Sequence, residues 1–79
     1  MILIVDDIRE NLYSLKSVLE HNNFLVDTAS SGPEALKKVL KTSYVLIILD
    51  VQMPGMDGFE VAEIISGYSK VKNTGIIFL

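Results

Sequence analysis

With 79 residues, 49% of them hydrophobic, the chain has material for one small domain and little core to spare. It contains no cysteine, so neither a disulfide framework nor thiolate metal ligation supports that core, and a reducing cytoplasm is the expected compartment. A net charge of −3 offers no cluster of Lys and Arg for a phosphate backbone, which predicts no direct nucleic-acid contact.

The opening MILIVDD turns acidic too early for a secretory signal. Ile2 to Val5 reads as a strand, an apolar run rich in β-branched residues of the kind buried on both faces of a parallel sheet. Ile8, Leu12, Leu15, Val18 and Leu19 recur at helical spacing and predict an amphipathic first helix, with His21 near its end where an imidazole suits the helix dipole. Phe24 to Thr28 is a more polar run and fits an edge strand. Ser31 followed by Glu34 has capping-box spacing, so a second helix is expected to start there and to bury Ala35, Leu36, Val39 and Leu40. Its Lys37, Lys38 and Lys41 read as one solvated face.

Tyr44 to Leu49 is the third strand, and Asp57 with Glu60 repeats the cap of a helix that would carry Val61, Ile64, Ile65 and Tyr68 inward and end between Ser66 and Lys70. Gly75 to Leu79 is the fourth strand. No apolar run approaches the ~18 residues of a membrane-spanning helix, so a soluble protein without a membrane partner is expected. The order βαβαβαβ predicts an α/β fold, a doubly wound parallel sheet with right-handed crossovers.

Ligands of such sheets bind beyond the carboxyl ends of the strands, where strand order reverses. Asp6 and Asp7 end the first strand and Asp50 ends the third. If those strands are neighbours, three carboxylates meet, and their hard oxygens suit Mg²⁺. A metal there would draw in a phosphoryl group, and Asp50 would be the nucleophile that accepts it. Pro54-Gly55 suits the centre of a type II turn that leaves Asp50 accessible. Asp57 is explained by capping, and Met53 and Met56 by loop packing.

ILIVDD at 2–7, SSGPEAL at 30–36 and above all LDVQMPGMDGFE at 49–60 resemble, in order and spacing, the motifs of response regulator receiver domains of two-component signalling. The resemblance covers residues 1–79 and implies a flavodoxin-like receiver fold that lacks its last helix-strand-helix and is incomplete at the C-terminus. It implies that Asp50 is the phosphoacceptor and that Asp6, Asp7 and Asp50, with the backbone carbonyl of Gln52, hold Mg²⁺. It implies a sensor histidine kinase or a phosphotransfer protein as partner, and a signalling role with no enzyme activity of its own. The hydroxyl residue after the fourth strand and the lysine ending the fifth would both lie past Leu79.

Two other readings compete. A Mg²⁺-dependent phosphohydrolase of the haloacid dehalogenase type also uses an aspartate at a strand end, but it places a second aspartate two residues on, where this chain has Gln52. A binding-only fragment would associate through the apolar edge at Ile76 to Leu79, as a homodimer or strand-exchanged oligomer.

Overall fold

A computed structural model describes residues 1–79. The elements run β1 (Ile2–Val5), α1 (Arg9–His21), β2 (Val26–Ala29), α2 (Gly32–Lys41), β3 (Leu46–Leu49), α3 (Gly58–Ile65), a 3₁₀ turn (Ser69–Val71) and β4 (Gly75–Phe78). All strand pairs are parallel, in the order β2-β1-β3-β4. The chain therefore leaves β1 in one direction to form β2 and in the other to form β3. The gap between β1 and β3 is the switch point of an open α/β sheet.

Alternation along the strands divides the core in two. Leu3, Val5, Ile47 and Leu49 face α2 and α3 and pack with Ala35, Val39, Val61 and Ile65. Ile2, Ile4 and Ile48 face the other way, under Leu12, Leu15 and Leu19 of α1. Leu3, Leu49, Val61 and Ile65 are fully buried. No helix is long and apolar enough to cross a membrane.

Several local expectations shift. β2 begins at Val26, not Phe24, because α1 ends in a Schellman motif: Asn23 is left-handed (φ 69°), and the Phe24 and Asn23 amides donate to the Leu19 and Glu20 carbonyls. Phe24 and Leu25 are left exposed in the connection, although the Leu25 carbonyl still accepts from the Ile2 amide (2.8 Å). α1 rests on the sheet through a narrow stripe, so Ile8 and Val18 are exposed; Leu40 and Ile64 likewise point outward from α2 and α3. Both predicted caps form, with Ser31 Oγ accepting from the Glu34 amide (3.2 Å) and Asp57 Oδ1 from the Glu60 amide (2.9 Å). The reach-back of Glu34 goes one residue further than the capping box requires, to the amide and hydroxyl of Ser30.

Lys38 departs from the solvated face expected of it. It is half-buried and donates to Asp27 Oδ1 (3.0 Å) and to the Thr28 carbonyl, fastening α2 to the edge strand β2.

Candidate functional site

The ladder continues one residue past both central strands. The Asp6 amide donates to the Ala29 carbonyl (3.1 Å) and the Asp50 amide to the Val5 carbonyl (2.9 Å). With Val5 opposite Leu49 in the register, Asp6 and Asp50 lie side by side at the carboxyl edge of β1 and β3, at the switch point. This is the physical reason an apolar strand ends on an acid here: paired backbone up to the last residue gives the carboxylate a rigid base.

Asp6 is the only buried charged residue (7% exposed), and each of its oxygens accepts one hydrogen bond, Oδ1 from the Ile8 amide (2.9 Å) and Oδ2 from the Asn11 side-chain amide (3.1 Å), which leaves a lone pair free on each. Asp7 is exposed and Asp50 half-buried. One carboxylate oxygen from each of the three comes within 4.8 Å of the others. Gln52 is tied to the group through its amide, which donates to Asp50 Oδ1 (3.1 Å). Asn11 was not foreseen; its only signal in the sequence is that it falls in the first turn of α1, within reach of the acid before the helix.

Burial pushes the Asp50 carboxyl above the ordinary carboxylate range. The Gln52 amide works against that shift, while the charge and hydrogen bond of Asp6 and the charge of Asp7 add to it. No cationic side chain offsets the cluster, because the ion pairs of the molecule are those of Lys38 with Asp27 and Glu34. A partly buried, oxygen-only donor set with uncompensated negative charge fits a hard divalent cation such as Mg²⁺. A cleft of about 510 Å³ runs from Asp6 and Asp50 along Leu15, Val18 and Leu79, so the acids are open to a reactant.

Across the site, the 51–57 loop turns back toward α3. Gly55 takes the left-handed conformation expected of it (φ 80°), but the turn closes more tightly than type II, with the Met56 amide donating to the Pro54 carbonyl (2.9 Å).

Comparison with known proteins agrees with this architecture. The family model for the response regulator receiver domain matches residues 2–79. The transcriptional regulatory protein ResD of Bacillus subtilis is 44% identical over 78 residues, which is 99% of this chain and 31% of ResD. The chain thus spans about a third of the length of that relative. Among solved structures, the chemotaxis protein CheY4 of Vibrio cholerae superposes with a TM-score of 0.94 at 36% identity, covering 98% of this chain and 64% of that one. The response regulator TrrA of Thermotoga maritima, solved in complex with Mg(2+)-BeF, gives 0.89 at 43% identity over 98% of this chain and 65% of its own. TrrA has also been solved in complex with the histidine kinase ThkA. Family model, sequence relatives and fold agree, and this chain belongs to the response regulator receiver domain family of two-component signalling.

Proposed function

We propose that this domain, residues 1–79 acting as one receiver unit, takes a phosphoryl group from a phosphohistidine onto Asp50, with Mg²⁺ held by Asp6, Asp7, Asp50 and the Gln52 carbonyl. The observation that carries the reading is the convergence of the three carboxylates within 4.8 Å at the switch point of the sheet. The Mg(2+)-BeF complex of TrrA and the kinase complex of the same protein support the metal and the donor.

Each side chain has a separable part. An Asp50 oxygen attacks phosphorus, the phosphorus–nitrogen bond of the donor breaks with its electron pair passing to the imidazole, and an acyl phosphate remains on Asp50. The Gln52 amide, bonded to Asp50 Oδ1, fixes the rotamer that presents the attacking oxygen. Asn11 and the Ile8 amide hold the Asp6 carboxylate in place as a ligand. Mg²⁺, when bound, neutralises charge on the phosphoryl oxygens during transfer. The partner is a sensor histidine kinase or a phosphotransfer protein in the cytoplasm, and the domain is its phosphoacceptor and not a catalyst of further turnover.

A second property follows from β4. It is hydrogen-bonded to β3 alone, and Ile77, Phe78 and Leu79 are 46%, 42% and 64% exposed. The 79-residue chain is proposed to self-associate along that edge.

Incubation with Mg²⁺ and acetyl phosphate, followed by intact mass measurement, tests the main reading. One phosphoryl addition that is abolished in Asp50→Asn is expected. Steady hydrolysis of phosphate esters would point to the phosphohydrolase, and a chain that gains no mass would be a binding module only.

A further inference from the structure

Two glycines approach the 50–58 segment more closely than a side chain permits. A Cβ on Gly58 would overlap the carbonyl oxygen of Asp50 and lie 3.0 Å from its carbon and 3.2 Å from Val51 Cα. A Cβ on Gly32 would lie 2.8 Å from Met56 Sδ and 3.0 Å from both Met56 Cβ and Met56 Cγ. Neither glycine is left-handed, since Gly55 is the glycine with positive φ. Both open helices, α3 and α2, where propensity alone favours alanine. Neither dihedral strain nor helix formation therefore asks for glycine at these positions; space does.

The two contacts hold one segment from both ends. The Asp50 amide is pinned to the Val5 carbonyl (2.9 Å), so a methyl group at residue 58 must either lift the first turn of α3 or rotate the 50–51 peptide. Rotation carries the Asp50 side chain and the Gln52 amide with it. At the other end Met56, packed against the core between Asp50 and α3, rests on the first residue of α2. Bulk at Gly32 drives Met56 back into the loop.

We infer that Gly58 and Gly32 are positioning residues for Asp50, setting the placement of its carboxylate against Asp6 and Asp7 through close backbone approach; this rests on the phosphoacceptor reading above. Main-chain placement at this scale matters because metal affinity depends on how well outer groups orient the ligands. Gly32 acts through Met56, so its effect depends on the size of that side chain. A merely structural glycine would change stability with Met56 size but leave Mg²⁺ affinity unmoved.

The test is Mg²⁺ titration of the 79-residue chain followed by amide chemical shifts, with thermal unfolding of the same samples. Gly58→Ala is expected to weaken Mg²⁺ binding by about 10-fold or more and, because the added Cβ meets backbone, to lower the unfolding midpoint as well. Gly32→Ala should weaken it less, and adding Met56→Ala, which removes Sδ and Cγ, should restore affinity toward wild type. If Gly58→Ala fails to fold, the Gly32 and Met56 cycle still decides the matter. Unchanged affinity in Gly58→Ala and Gly32→Ala, or a loss in Gly32→Ala that Met56→Ala does not recover, overturns this inference and leaves the functional reading standing. Wild-type protein that binds no Mg²⁺ overturns both.

Discussion

Ionising Asp50 costs the fold energy, because burial and the charges of Asp6 and Asp7 hold its carboxyl above the ordinary range. A group whose folded pKa is raised contributes its full stability below the unfolded value and loses it as pH rises through the folded value. Metal-free Asp50→Asn should therefore be more stable than wild type at neutral pH, by about 1 kcal/mol, the Coulomb scale for a solvated like-charged pair at such distances. Urea unfolding should show the difference shrinking as the solution is made acidic, and Mg²⁺ should reverse the order by stabilising wild type selectively. The three acids were legible in the sequence because the Asp6-Asp7 pair and Asp50 each follow directly on an apolar run whose direction and end are plain. Asn11 was not, since its contact with Asp6 depends on where α1 begins, and that start has no side-chain cap to mark it.

At the level of elements, the edge strand β2 is held by side chains as well as by its ladder. Asp27 accepts from Tyr44 Oη (2.7 Å), Lys38 Nζ (3.0 Å) and the Thr28 amide (2.9 Å), and Thr74 Oγ1 donates to the Tyr44 carbonyl (2.7 Å). Burial raises the Asp27 pKa, but the hydrogen bonds from Tyr44, Lys38 and Thr28 outweigh it and hold the group below its usual value. The Tyr44 phenol is pushed up to about 12 by burial and by Asp27. Tyr44→Phe should cost about 1.5 kcal/mol, the low end for a hydrogen bond to a charged group, read by denaturant unfolding at neutral pH. Because the folded pKa of Asp27 is lowered, its contribution is present above the unfolded value and lost as pH falls through the folded one. The penalty of Tyr44→Phe should accordingly diminish in acid. Helix periodicity and caps announced α2 and α3, yet this network was invisible: Lys38 shares a helix with Lys37 and Lys41, and nothing in its spacing shows that α2 crosses β2 near Asp27. Outward residues such as Val18 and Ile64 were misjudged for a related reason, since periodicity marks a stripe without stating how much of it the sheet covers.

For the whole molecule, the order β2-β1-β3-β4 makes the carboxyl ends of β1 and β3 neighbours, and every functional statement depends on that adjacency. The sheet class and an apolar edge at Ile76 to Leu79 could be read from alternating runs and helices; that β3 is the strand beside that edge came with the structure. Its exposed Ile77, Phe78 and Leu79 predict self-association of the 79-residue chain, visible as a rising sedimentation coefficient with concentration. Substituting Lys for Ile77 should return it to a monomer, as charges do on natural sheet edges. The central claim is that Asp6, Asp7 and Asp50 act as one cation site. Titrating Mg²⁺ into metal-free protein while following the side-chain carboxyl carbons of all three should give saturable shifts with a common midpoint, weakened by Asp50→Asn. Shifts confined to one carboxylate, or three unrelated midpoints, would contradict it.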